Sequence, residues 1–146
     1  RLVLELSSMQ ATEFYPTRLH LAKCYLRTQV YDKAMRNFRK ALAINVDSAD
    51  ARFGVGLVYL KLEMFDESMD HLSKNIYKHM HHQPSILALC RCVSEHPEPN
   101  KAISLLEEIS EWTDQDPHIL LALSQLYRKC GQADVGQILL DQALGE

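Results

Sequence analysis

Residues 21–38 have the sequence LAKCYLRTQVYDKAMRNF, in which small and aromatic residues are spaced for helical packing. Ala22 precedes Tyr25 by three residues, and Ala34 precedes Phe38 by four. Side chains three and four residues apart lie on the same face of an α-helix. The stretch therefore predicts two helices, each of which presents a small residue and a large residue to its neighbour.

The same pattern recurs every 34 residues when the chain is divided at Tyr15, Ala49, Gln83 and Pro117. Small residues let two helices approach, and larger residues fill the space beside them. We predict that the packing between repeats depends on Ala22, Tyr25, Ala34, Phe38, Gly56, Tyr59, Ser68, Ala102, Ser124, Tyr127 and Gly136.

Turn signals lie between the predicted helices. Asp116 precedes Pro117, which is typical of an N-cap followed by proline in the first helical turn, and Gly131 follows a helical pattern. Residues 96–100, His-Pro-Glu-Pro-Asn, interrupt the third repeat between its two helices. No segment alternates as a strand would, so the pattern predicts an all-α fold.

These boundaries divide the chain into repeats at 15–48, 49–82, 83–116 and 117–146, with the third made irregular by its proline-containing turn. Residues 1–14 fit the second helix of a preceding, truncated repeat. A single hairpin cannot bury both of its faces, so the repeats are expected to stack into one solenoid domain. We expect the sequence to be a fragment of a longer chain.

Composition excludes several classes of protein. Hydrophobic residues make up 47% of the chain and charged residues 24%, a globular balance, and the net charge of -3 offers no basic field for nucleic acid or an anionic membrane. No apolar run approaches the roughly 18 residues that a membrane helix needs. Four cysteines without a Cys-x-x-Cys pair favour reduced thiols, and hence a nuclear or cytoplasmic location.

The chain resembles the tetratricopeptide repeat family along its length. The motif is most complete in the first repeat, at Leu21–Tyr25, Tyr31–Ala34, Phe38 and Ala41–Leu42. It departs from the family pattern at Asn75, Val93, Ile109 and Gly136. The resemblance implies a right-handed superhelical solenoid of antiparallel helix pairs that binds other proteins and carries no catalytic site.

A narrower resemblance is to the carboxy-terminal repeats of subunit 7 of the anaphase-promoting complex. It rests on residues 34–41, residues 75–78 and the broken hairpin from Val93 to Ala102. It implies a structural subunit of this cell-cycle ubiquitin ligase, one that forms homodimers and stacks on sister subunits in mitosis without performing the ligase chemistry. The alternative is an adaptor that binds an acidic and apolar linear peptide.

The concave face of such an array would carry the partner. The predicted groove combines basic and apolar residues, namely Leu19, Lys23, Arg27, Phe53, Leu57, Lys61, Leu87, Arg91, Arg128 and Lys129. Because this basic bias opposes the negative net charge, it favours a segment with acidic and apolar groups. A solvated basic face without a ligand would give the same pattern.

Metal binding and catalysis have little support. His79, His81 and His82 lie near Cys92 and His96 in the sequence, but helical spacing scatters them and no zinc-finger spacing occurs. No phosphate-binding glycine loop, nucleophile elbow or metalloprotease motif is present in the sequence. We therefore predict no cofactor, no metal and no enzymatic activity.

Charge is uneven along the chain. Residues 15–48 contain seven basic and two acidic residues, whereas residues 83–116 contain two basic and seven acidic residues. Solvated faces without a partner would give this distribution, and so would opposite ends that are complementary to different neighbours and set the order of an assembly. The predicted partners are sister repeat subunits or a peptide segment, together with self-association.

Overall fold

The computed structural model describes residues 14–145, and all secondary structure in that range is helical. The predicted helix of a truncated repeat at 1–14 lies outside the described residues except for Phe14, where the first helix begins. The helices are α1 (Phe14–Arg27), α2 (Tyr31–Ile44), α3 (Ala49–Lys61), α4 (Phe65–Lys78), α5 (Gln83–Glu95), α6 (Pro99–Trp112), α7 (Pro117–Lys129) and α8 (Ala133–Ala143).

Side-chain caps and prolines fix where several helices begin. The Ser48 hydroxyl accepts from the backbone N–H of Ala51 at 3.0 Å, which caps α3. The Asp116 carboxylate accepts from the N–H of His118 at 2.9 Å, which caps α7, and Pro117 occupies the first turn. Each cap satisfies one N–H that the helix itself leaves without a partner.

The first, second and fourth pairs are joined by turns with a left-handed residue. Gln29, Glu63 and Gly131 have φ of 64°, 60° and 79°. The next residue in each turn donates its backbone N–H to the carbonyl of a tyrosine five residues earlier, as in a Schellman motif, at 2.9, 2.9 and 2.8 Å. The corresponding residue of the third pair is Pro97, whose ring cannot adopt a positive φ.

The chain divides into two compact units, which meet in sequence between Met64 and Phe65. The division falls inside the predicted second repeat, between α3 and α4. The prediction of one solenoid domain with boundaries at 49, 83 and 117 stays a prediction. The second helices of the four predicted repeats nevertheless begin 34 residues apart, at Tyr31, Phe65, Pro99 and Ala133.

The first unit has a core built on a close contact between an aromatic ring and a glycine. Phe38 on α2 is fully buried with Ala22, Ala34, Val55 and Val58. A Cβ placed on Gly54 of α3 would overlap the Phe38 ring, so the ring occupies the space that any other residue would need. Around this core pack half-buried Leu19, Tyr25, Leu26, Tyr31, Met35 and Tyr59.

The second unit combines an aliphatic core with buried hydrogen bonds between helices. The Ser124 hydroxyl of α7 donates to the carbonyl of Gly136 on α8 at 2.7 Å. The Asn75 amide of α4 donates to the hydroxyl of Ser85 on α5 at 2.7 Å. Largely buried apolar side chains fill the rest, among them Leu72, Ile76, Ile86, Leu89, Leu106, Ile109, Ile119, Leu123 and Leu126.

Candidate protein-binding surface

An open pocket of about 220 Å³ lies between the first helices of the third and fourth predicted repeats. Helix α5 supplies one wall and α7 the other. We call it the α5–α7 pocket, and it is lined by Leu87, Cys90, Arg91, Ser94, His118, Leu121, Ala122 and Gln125.

Apolar side chains in this pocket are accessible to solvent. Leu87 on α5 is 50% exposed and Leu121 on α7 is 42% exposed, although the residues on either side of each are buried. The Asp116 cap and Pro117 fix the start of α7, and therefore the position of Leu121 one turn later. Two exposed leucines on adjacent helices form an apolar patch, a feature typical of sites that receive a partner side chain.

Polar groups surround that patch. The Arg91 side chain lies 3.9 Å from the Glu95 carboxylate in an exposed pair, which contributes little to stability. The Lys129 ammonium of α7 donates to the carbonyl of Ser94 on α5 at 2.8 Å, so it ties the two helices together beside the pocket. Because the Arg91–Glu95 pair is long and exposed, the Arg91 guanidinium can also contact an acidic group of a partner, and the Gln125 side chain can add a hydrogen bond.

The thiols of α5 are poor nucleophiles. Burial raises the pKa of Cys90 to about 12, with the charge of Asp116 as a smaller cause. Burial likewise raises the pKa of Cys92 to about 11. A thiolate is the reactive form of cysteine, so both side chains stay protonated near neutral pH. Among residues 14–145, no group of three or more His, Cys, Asp or Glu is arranged to hold a metal ion.

The predicted groove residues are distributed over both units. In the first unit, Leu19 packs against the core, Phe53 and Leu57 are half-buried, and Lys23, Arg27 and Lys61 are exposed. In the second unit, Leu87 and Arg91 line the α5–α7 pocket. The Arg128 guanidinium instead donates to Gln137 on α8 at 3.0 Å, because its stem lies over Gly136.

The predicted packing residues are mostly inaccessible. Ala22, Ala34, Phe38, Ser68, Ala102 and Ser124 are buried, as are Gly56 and Gly136. Tyr25, Tyr59 and Tyr127 are half-buried. The Tyr127 hydroxyl donates to the Glu107 carboxylate on α6, and that hydrogen bond raises the pKa of Tyr127 to about 12.

A buried histidine network was not identified from the sequence. His96 follows α5 and is almost inaccessible, and its Nδ1 accepts from the backbone N–H of Glu98 at 2.8 Å. Its Nε2 therefore carries the proton and donates to Asp66 at 2.9 Å. This hydrogen bond lowers the pKa of Asp66, with Lys101 as a further cause. The sequence signal that could have pointed to this network is Pro97, which directly follows His96 and marks an irregular turn.

Three comparisons with known proteins bear on the fold. Residues 15–46 match the tetratricopeptide repeat family, within the first predicted repeat. A search of curated proteins found no match. Similar solved structures include MamA, with a TM-score of 0.69 and 19% identity over 90% of this chain and 77% of that chain.

Two further structures extend the comparison. A double mutant of MamA RS-1 has a TM-score of 0.67 and 11% identity, over 90% of this chain and 74% of its own. The OM64 tetratricopeptide domain from Arabidopsis has a TM-score of 0.64 and 13% identity, over 82% of this chain and 98% of that chain. At these identities the likeness shows the fold, so the predicted all-α tetratricopeptide fold is confirmed.

Within residues 14–145, none of the helices has both the length and the apolar content to cross a membrane.

Proposed function

We propose that this tetratricopeptide-fold chain is a non-catalytic protein-interaction scaffold that binds a segment of a partner protein in the α5–α7 pocket. The observation that carries the proposal is the pair of exposed leucines, Leu87 and Leu121, on facing helices around that pocket. A partner's apolar side chain placed between them would remove apolar surface from water.

The chemistry of the lining favours a particular kind of segment. Burying one leucine-sized side chain contributes about 1.5–3 kcal/mol, which supplies affinity but little selectivity. Arg91 beside the leucines favours a carboxylate next to the apolar residue, and Gln125 can hydrogen-bond an extended backbone. The preferred partner segment therefore presents an apolar residue flanked by Asp or Glu.

Binding without chemistry is consistent with the side chains in the pocket. Cys90 is its strongest nucleophile by type, and its raised pKa keeps the thiol protonated. His118 is exposed and its ring contacts the Asp116 carboxylate at 3.3 Å, whereas the Cys90 thiol donates to the backbone carbonyl of His118 at 3.5 Å. We propose that the pocket has no enzymatic function.

The proposal is tested by selecting random peptides displayed on phage against the purified chain and measuring their affinities by fluorescence anisotropy. Peptides selected on the intact chain should be rich in acidic and apolar residues. Leu121→Lys should weaken them by about tenfold or more, because a buried leucine contact is lost and a charge is placed in the site. Arg91→Glu should weaken acidic peptides more than neutral ones.

A matched control is Val135→Lys on α8, which replaces another exposed apolar residue of the second unit outside the pocket lining. It should leave peptide affinity unchanged. Equal affinities for the intact chain and for Leu121→Lys, with unchanged circular dichroism, would exclude the α5–α7 pocket as the binding site.

A role as a structural subunit of the anaphase-promoting complex remains a finer proposal. It is supported by the sequence resemblance at residues 34–41, 75–78 and 93–102. Affinity purification distinguishes it from the adaptor: a scaffold should copurify with large folded sister subunits, and an adaptor with short linear motifs. A nuclear or cytoplasmic location is proposed with it, and fluorescence microscopy of the tagged chain would test that.

A further inference from the structure

The two units of the chain carry opposite charges. Described residues 14–64 contain nine Lys or Arg and four Asp or Glu, a balance of +5. Described residues 65–145 contain six basic and twelve acidic residues, a balance of -6. The overall net charge of -3 conceals this division. Two copies of such a chain attract each other when unlike units face one another.

The first unit has a pocket in which positive charge and exposed apolar surface meet. It has a volume of about 360 Å³ and is lined by Arg39, Leu42, Ala43, Val46 and Arg52. Val46 is 63% exposed, so it offers apolar surface at the edge of the pocket. The two arginines come from different helices, α2 and α3. We call this site the Arg39–Arg52 pocket.

The Arg39 side chain is held in place at this site. Its Nη2 donates to the Tyr59 hydroxyl at 2.7 Å, and Tyr59 belongs to the half-buried layer around the core of the first unit. A guanidinium that is already positioned loses less conformational entropy when it pairs with a carboxylate. The Arg39–Arg52 pocket therefore favours an acidic partner that also presents an apolar or aromatic group.

The second unit has a surface with those properties. Glu108 and Glu111 are exposed on α6, and Trp112 follows them at the end of that helix. Tyr77 on α4 is 60% exposed, and its ring stands edge-on to Trp112 with 5.0 Å between the ring centroids. We call the surface of Tyr77, Glu108 and Glu111 the acidic–aromatic surface.

Basic residues near Tyr77 only partly offset this acidity. Lys74 lies one turn before Tyr77, and its ammonium is paired with Asp70 at 3.0 Å. Lys78 follows Tyr77 directly. The aromatic ring therefore has one ion-paired lysine and one further lysine on its own helix, against two glutamates on α6.

We propose that the Arg39–Arg52 pocket of one copy of this chain receives the acidic–aromatic surface of a second copy. The tyrosine ring covers exposed Val46 and half-buried Leu42, and Glu108 and Glu111 meet the two arginines. The contact is heterologous, because the two surfaces belong to different units of the chain. The inference is independent of the peptide site, since neither surface includes a residue of the α5–α7 pocket.

Sedimentation velocity of the purified chain over a range of concentrations tests the proposal. The 16.8 kDa chain should associate reversibly in the micromolar range. Raising the salt from about 0.05 M to about 0.5 M should weaken association by about tenfold or more, because the Debye length becomes shorter than the charged contact. A monomer at every concentration in low salt would overturn the proposal.

Complementation between two variants tests the pairing itself. The pocket variant carries Arg39→Gln with Arg52→Gln, and the surface variant carries Glu108→Gln with Glu111→Gln. Each should be monomeric alone, because each lacks one half of the contact. An equimolar mixture should form a dimer and nothing larger, since only one productive contact remains. Association of both variants alone, or no association of the mixture, would overturn the pairing.

A charge control and a fold control complete the test. Lys23→Glu changes the charge of the first unit outside the Arg39–Arg52 pocket, and it should preserve association to within about twofold. All variants should keep the circular dichroism spectrum of the intact chain, because the altered glutamates are exposed and the arginines lie outside the core. If Lys23→Glu abolishes association as well, net charge rather than the pocket controls it.

Discussion

Two turns of the second unit join helices in different ways. Between α7 and α8, Gly131 takes a left-handed conformation and the chain closes with hydrogen bonds between backbone groups. Between α5 and α6, Pro97 prevents that conformation, and His96 turns inward to accept from the backbone of Glu98. The regular turn therefore closes through hydrogen bonds between backbone groups, whereas the proline-containing turn uses one buried side chain as an acceptor.

The largest loss of stability should follow from placing a proline in the regular turn, as the irregular turn has. Gly131→Pro forces φ from 79° to a negative value and removes the N–H that donates to the Arg128 carbonyl. It also disfavours the conformation of Cys130, with φ of -87° and ψ of 8°, because a residue before proline favours extended backbone. We expect a loss of about 3 kcal/mol or more in the free energy of unfolding, measured by urea denaturation. A loss below about 1 kcal/mol would show that the turn conformation is unimportant.

A smaller effect should follow from removing the side chain on which the irregular turn depends. His96→Ala removes the acceptor of the Glu98 N–H and leaves a cavity in place of the buried ring, and should cost about 2 kcal/mol in the same measurement. His118→Ala is the matched control, because that ring is exposed and should change stability by less than about 0.5 kcal/mol. Equal effects of the two substitutions would contradict the role assigned to His96.

Stability can also be increased by substitution where the left-handed position of a turn is not occupied by glycine. Gln29 occupies the turn between α1 and α2 with φ of 64°, a conformation that costs a residue with a Cβ about 1 kcal/mol. Gln29→Gly relieves that strain but increases the freedom of the unfolded chain. We expect a net stabilisation of about 0.5 kcal/mol, visible as a higher melting temperature. A decrease in melting temperature would mean that the Gln29 side chain contributes more than its backbone strain costs.

The smallest expected effect is on the pH dependence of the melting temperature. The pKa of Asp66 in the folded chain is lower than its ordinary value. The contact with His96 therefore stabilises the fold fully above the ordinary pKa of an aspartate, and this stabilisation is lost as the pH falls through the folded pKa. The difference in melting temperature between the intact chain and Asp66→Ala should be constant above about pH 5 and shrink as pH falls below about 4. A difference that grows on acidification would have the wrong sign for this linkage.

The sequence predicted one of these turns better than the other. Gly131 and Pro97 both carry strong local signals, so the ends of α5 and α7 could be predicted. The role of His96 could not, because burial and hydrogen bonding to Asp66 depend on helices that are distant in sequence. The same limit applied to Arg128, since helical position places it in the predicted groove while its contacts with Gly136 and Gln137 turn it toward α8.

The candidate sites also include residues that the sequence predicted and residues that it did not. Leu87 and Arg91 were selected by their position in the repeat, and both line the α5–α7 pocket. The Arg39–Arg52 pocket joins residues from two helices outside the predicted concave face, so the repeat pattern alone did not indicate it. Positions within one helix follow from periodicity, whereas a pocket between helices requires the packed geometry.

The contact between Phe38 and Gly54 has a consequence for how this sequence can diverge. An aromatic ring occupies the volume of an absent side chain, so neither residue can change freely while the other is retained. Among related sequences, a residue larger than glycine at 54 should occur together with a smaller side chain at 38, and intermediates with both large residues should be missing. The two positions, 16 residues apart, should therefore covary as a pair across evolutionary time.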